Sequence, residues 1–193
     1  MASSERPSER PTSADPAPDA LSLLTRDHRL AEELFAEFGR SAVQQLDPLA
    51  RRICKMLRVH TQIEEELFYP AARRALSDES VIDSAERDHD AARETIAHVE
   101  SMTSDHADFR STVGTLATQI KQHVAGEEQR LFPALRQSPI DLVALGIALA
   151  ERRDTLLDVL GLHGDDEEGA ANQRETRTGA DTDRRGSRPS DRA

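Results

Sequence analysis

From Ala20 to Leu160 apolar residues return every three or four positions, with polar residues filling the gaps. That spacing is the period of an α-helix that buries one face. The first stripe is Leu24, His28, Ala31, Leu34, Phe35 and Phe38, and it predicts a helix over about 20–39 with Gly39 as its stop. Asp47-Pro48 reads as the N-cap and first-turn proline of a second helix. That helix carries Ile53, Met56, Leu57, His60, Ile63, Glu64 and Leu67, and Pro70 bends or ends it. Ile82, Ala85, His89, Ala92, Ile96 and Val99 predict a third helix over about 78–102. After a short DHAD turn, Val113, Leu116, Ile120, His123, Val124, Glu127 and Leu131 predict a fourth over about 107–130. Ser138-Pro139 signals a fifth, over 139–160, closed by Gly161.

The connections between these stripes are short, so successive helices should pack antiparallel. The expected fold is all-α: an up-down four-helix bundle with an additional C-terminal helix. The folded domain is expected over 19–160, with its core over about 20–135. Residues 1–18 are rich in Ser, Pro, Glu and Arg, and 161–193 have almost no large apolar side chain. Neither stretch can bury enough surface to offset its ordering entropy, so disordered tails are expected at both ends.

Composition narrows the picture. Aromatic residues are 3% of the chain and charged residues 32%, a balance that favours helices rich in Ala and Leu over a sheet. The net charge of −11 argues against nucleic acid and against anionic membrane surfaces as partners. The single cysteine, Cys54, gives neither a disulfide within the chain nor a thiolate cluster, and reads as a small core residue. The N-terminal stretch lacks an apolar run, and LVALGIALA at 142–150 is too short to span a bilayer. A cytoplasmic protein is the expectation.

The chemistry lies in two matching stretches. HTQIEEELFYP begins at His60 and HVAGEEQRLFP at His123; both open His-x-x-x-Glu and both close on proline. Residues four apart on a helix share a face, so His60 with Glu64, and His123 with Glu127, point the same way. Asp27-His28 stands 32 positions before His60, and Asp88-His89 stands 34 before His123. The chain thus repeats His…His-x-x-x-Glu, and all six groups fall on apolar stripes.

An unpaired carboxylate in a core costs several kcal/mol. Two carboxylates with four imidazoles would exceed a domain's usual margin of about 5–15 kcal/mol unless something positive lay between them. A metal offsets this directly. Donors that are all nitrogen and oxygen suit iron, manganese or zinc. Six ligands are too many for one tetrahedral zinc, and two carboxylates can each bridge two ions. A carboxylate-bridged pair of iron ions fits best, ahead of manganese or zinc.

On these residues, with the LFYP and LFP endings, the chain over about 20–135 resembles the hemerythrin family in its HHE cation-binding form. The resemblance implies a four-helix bundle around a non-haem di-iron centre. By that likeness His28 and His60 bind one iron, His89 and His123 the other, and Glu64 and Glu127 bridge them. The oxygen-carrying members have a fifth histidine one turn from its partner on the third helix; here Ala85 and Arg93 flank His89. Glu86, in Glu-x-x-His with His89, is a candidate replacement, with a solvated glutamate as the plainer reading. Glu65, Glu66 and Glu128 are expected mostly on a solvated face. Glu128 could replace Glu127 as bridge if the helix is locally wound differently. Tyr69 is expected to pack in the interior, with a role beside the metal as the alternative. His98, His106 and His163 fall off the stripes and carry no assignment.

Two activities follow as expectations. One is a centre that binds or senses dioxygen, nitric oxide or a related small oxidant. The other is a di-iron oxidoreductase acting on peroxide, in the manner of a catalase or peroxidase. A metal-free helical adaptor is the third reading. Whether the protein is an enzyme is open at this level.

Overall fold

The computed structural model describes residues 19–160. The expected tails, 1–18 and 161–193, lie outside the described residues, as do Gly161 and His163. Among the described residues all regular structure is helical. The elements are α1 (Ala20–Arg40), α2 (Val43–Ile63), α3 (Tyr69–Ala75), α4 (Ser80–Glu100), α5 (Phe109–Gly126), α6 (Phe132–Arg136) and α7 (Leu142–Val159). Two five-residue π-helical turns, Glu64–Phe68 and Glu127–Leu131, join α2 to α3 and α5 to α6 without a break. The result is five helical rods, in number and order those predicted by the stripes.

α1 packs on α2 and α5, α4 packs on α2 and α5, and the four rods close a ring. Their stripes meet in a core that includes Leu34, Phe38, Ile53, Leu57, Ile96 and Leu116, all buried. Cys54 is a buried member of the same core, and burial, with Glu100 adding to it, pushes its thiol up to about 12. The chain divides into two compact units, one through Glu151 and one from Arg152; in the second, the described residues are the last turns of α7 and Leu160. None of the described helices is long and apolar enough to cross a membrane.

Several boundaries differ from expectation for identifiable reasons. Asp19 caps α1 through its side chain, which accepts a hydrogen bond from the Ser22 N–H at 2.9 Å. Gly39 does not end that helix; Ser41 does, in an extended conformation. α2 begins at Val43, so Pro48 lies inside it. Asp47 does not cap its own helix, because its carboxylate is engaged elsewhere. It accepts from the Ser104 N–H at 2.9 Å and from the Ser104 hydroxyl, and so pins the α4–α5 connection. The cap of α7 is Asp141 rather than Ser138, accepting from the Val143 and Ala144 N–H groups.

The helices also run on past Pro70 and Pro133. Each π-turn widens the rod just before the proline, which then sits in the first turn of α3 or α6. Position N1 or N2 tolerates a residue without an N–H.

Candidate metal centre

Each of the four long rods delivers its histidine to one buried place. α1 supplies His28, α2 His60, α4 His89 and α5 His123, and all four are buried. Glu64 and Glu127 open the two π-turns, each one turn beyond a histidine, and both are 0% exposed.

The two carboxylates face histidines of both halves of the repeat. Glu64 Oε2 lies 3.2 Å from His60 Nε2, 3.3 Å from His89 Nε2 and 3.9 Å from His123 Nε2. Glu127 Oε2 lies 3.3 Å from His28 Nε2 and 3.6 Å from His123 Nε2. One ligand atom from each of His28, His60, Glu64 and His123 falls within 4.8 Å of the others, a grouping that can hold a metal ion. His89 Nε2 is 3.4 Å from His123 Nε2, so the six-residue set is contiguous.

The inward atoms are poorly satisfied by protein alone. His28 Nε2, His60 Nε2, both Glu64 oxygens and Glu127 Oε2 are buried without a well-directed hydrogen bond. Groups of this kind are normally hydrogen-bonded or bound to a cation. The residues therefore fit a metal, and the donor set of imidazole and carboxylate fits a transition metal of intermediate softness.

Protonation shows the same need for positive charge. Burial opposes a charged His28, but Glu127, then Glu64 and Glu128, overcome it and raise the ring to about 9. His89 is likewise raised to about 9 by Glu64 and Glu65 against burial. His123 is driven down to about 3 by burial, with the other three histidines adding to the effect. Glu127 is buried, which favours its neutral form, yet His123, His28 and His60 hold it down at about 2. Glu64 moves up, through burial and the charge of Glu127. Without a metal, then, protons on His28 and His89 supply the positive charge that two facing carboxylates require.

Three kinds of residue at the centre exceed or correct the sequence reading. Glu65 and Glu128, expected on a solvated face, are only 34% and 25% exposed and touch His89 and His28. His89 Nδ1–H donates to Glu65 Oε1 at 2.9 Å, and His28 Nδ1–H donates to Glu128 Oε1 at 2.9 Å. The helix at Glu127 is indeed wound differently, but Glu127 remains the inward carboxylate and Glu128 reaches the outer face of His28. Glu66 instead accepts from Gln62 along its own rod.

Asp27, read in the sequence only as part of a repeated Asp-His pair, is buried 3.6 Å from His60 Nδ1. Tyr69 packs in the interior as expected, and it also does more. Its hydroxyl donates to Glu127 Oε1 at 3.0 Å and lies 3.2 Å from His89 Nε2. Burial, with Glu127 and Glu64 close by, pushes its phenol well above the ordinary value, so it stays a proton donor. Its counterpart in the second repeat is Phe132, whose ring stacks on His28 at 5.8 Å. Glu86 turns away, accepting from Arg73 at 2.8 Å beside Glu79 and Asp83. His98 is exposed, and His106 accepts from the Asp108 N–H in the α4–α5 connection. The doubled glutamate after each His-x-x-x is the sequence signal that could have marked Glu65 and Glu128.

An all-α bundle whose four long rods bring buried histidines and carboxylates together defines a class of helical proteins with a site able to hold a metal. The comparisons make this specific. The hemerythrin HHE cation-binding domain model matches residues 19–135. The chain belongs to that family. A crystal structure of a hemerythrin HHE cation-binding domain-containing protein from Mycobacterium kansasii is similar at a TM-score of 0.65 and 20% identity, covering 77% of this chain and 94% of that one. A DNA nickase of Nostoc sp. is 26% identical over 117 residues, 60% of this chain and 33% of the nickase. The chain thus spans about a third of the length of that curated relative.

Proposed function

We propose that this protein holds two iron ions between His28, His60, Glu64, His89, His123 and Glu127, and binds or senses dioxygen, nitric oxide or a related small oxidant. One observation carries the reading: Glu64 and Glu127 each lie between histidines of both halves, and both Glu64 oxygens and Glu127 Oε2 are buried without a well-directed hydrogen bond. Carboxylates so placed are suited to bridging, and bridging calls for two ions. Iron is favoured over zinc because six donors exceed what a tetrahedral zinc takes, and over manganese because four of the six are imidazoles. When bound, iron supplies a change between ferrous and ferric states and a position open to a small ligand. The chain's own part is to fix the ligands, keep the centre dry with Phe68, Phe132 and Leu131, and offer the Tyr69 hydroxyl as a hydrogen-bond donor.

Elemental analysis of the purified chain, with an optical spectrum in air and after reduction, tests this. Two irons per chain and a spectrum that changes with oxidation state are expected. Zero or one metal per chain, or two zinc ions, would overturn it.

A second reading, oxidoreduction of peroxide, is favoured by Tyr69. A protonated phenol 3.0 Å from the Glu127 carboxylate is placed to give and recover a proton, and peroxide breakdown needs proton movement. Oxygen release on adding peroxide to the iron-loaded chain would establish the catalase-like form of this reading, and peroxide consumption only with an added electron donor the peroxidase-like form; no consumption in either assay would remove it. Nicking of DNA is not carried over from the much longer relative, because a net charge of −11 opposes a phosphate backbone. A cytoplasmic location belongs to the same proposal, in keeping with a single cysteine, Cys54, that is free and buried.

A further inference from the structure

The outer edges of the ligands follow a rule that the ligand set does not contain. The Nδ1–H of His28, in the first half of the repeat, donates to Glu128 of the second half. The Nδ1–H of His89, in the second half, donates to Glu65 of the first. Both bonds are 2.9 Å long. Each glutamate directly follows an inward carboxylate, and each is held from outside by an arginine: Arg29 on Glu128 and Arg93 on Glu65.

Both glutamates sit in a π-turn, Glu65 in 64–68 and Glu128 in 127–131. In each, the backbone bond spans five residues, from Tyr69 N–H to the Glu64 carbonyl and from Phe132 N–H to the Glu127 carbonyl. More residues per turn means a smaller angle between neighbouring side chains. Two consecutive glutamates can then serve one centre, the first facing its interior and the second its flank. A regular α-turn would swing the second further toward solvent.

We propose that Glu65 and Glu128, presented by the two π-turns, are positioning residues that orient the first histidine of the opposite half, so that neither repeat forms a competent metal position alone. This rests on the reading that the centre holds metal. A carboxylate behind a ligating imidazole fixes its tautomer, leaves Nε2 to face the ion and raises the ring's basicity. A more electron-rich ring favours the more highly charged metal ion, so weakening the carboxylate should raise the reduction potential.

The test uses the full chain with Glu65→Gln and Glu128→Gln, and Glu66→Gln as a neighbouring control. With iron loaded, each of the first two should lose about 10- to 100-fold in metal affinity by chelator competition. Each should also show a higher reduction potential, while the control matches the parent. Nitrogen-detected NMR of the metal-free imidazoles gives a readout independent of iron. Glu65→Gln should shift only the His89 Nδ1–H and Glu128→Gln only that of His28. Unchanged affinity and potential in both variants, or imidazole signals that ignore the crosswise pairing, would overturn the inference. Loss of helicity by both metal-free variants would also overturn it, by making the glutamates structural. If the parent chain takes up no iron, it is the proposed function that fails, and the NMR pattern alone decides this point.

Discussion

Among single residues, His28 and His89 carry the clearest pH consequence. Both are raised to about 9 in the metal-free fold, from 6.5. A group whose folded value is raised stabilises the fold fully below its unfolded value and loses that contribution as pH rises through the folded value. The metal-free chain should therefore lose stability between about pH 6.5 and 9 from these two rings, as denaturant titration across that range would show. Metal must displace the same protons, so loading at pH 7.5 should release protons, readable as buffer-dependent heats in calorimetry. Equal heats in buffers of different ionisation enthalpy would count against it. The inward groups were legible because polar side chains on an apolar stripe need a partner. The outer ones were not: Glu65 and Glu128 follow the inward glutamates as ordinary charged neighbours, and only a locally wider turn brings them to the rings. Tyr69 was read as packing because a lone tyrosine beside phenylalanine does pack; that its hydroxyl meets Glu127 depends on how α3 docks.

At the level of elements, the helical rods follow from the spacing of Leu, Ile, Val and Ala, and their number and order are readable without coordinates. Their ends are less so, because a capping side chain has long-range alternatives. Asp47 illustrates this: its sequence context is that of an N-cap, yet it bonds Ser104 fifty-seven positions away. Asp47→Ala should thus loosen the α4–α5 connection rather than the start of α2. A loss of about 1–2 kcal/mol is expected for removing a half-buried, charge-assisted pair. Thermal melting would report it, and hydrogen exchange should place the new mobility at 101–108 rather than at 43–46. The π-turns escape a stripe analysis for a different reason. One extra residue per turn leaves Leu67, Phe68, Leu131 and Phe132 close to helical spacing, so the pattern reads as uninterrupted helix. Even the prolines mislead, since Pro70 and Pro133 mark a widened turn followed by more helix and not an end.

For the whole molecule, the centre and the bundle are one object, because all four long rods contribute a buried histidine to it. Two facing carboxylates in the interior would push these rods apart if nothing positive lay between them. In the metal-free state protons on His28 and His89 fill that role in part, and the apolar core from Ala31 to Val124 adds its own burial. The chain should accordingly remain helical when a chelator removes its metal, but melt lower. With metal at about a thousand times its dissociation constant, the linkage amounts to about 4 kcal/mol. For a domain of this size that corresponds to roughly 10 °C in melting temperature. His60→Ala should reproduce the chelated state, losing metal and the same stability together, because the ring belongs to site and core at once. It should also be indifferent to added iron. A His60→Ala chain that kept both its metal and its melting temperature would show that α2 holds no ligand, and that the duplicated stretches serve packing alone.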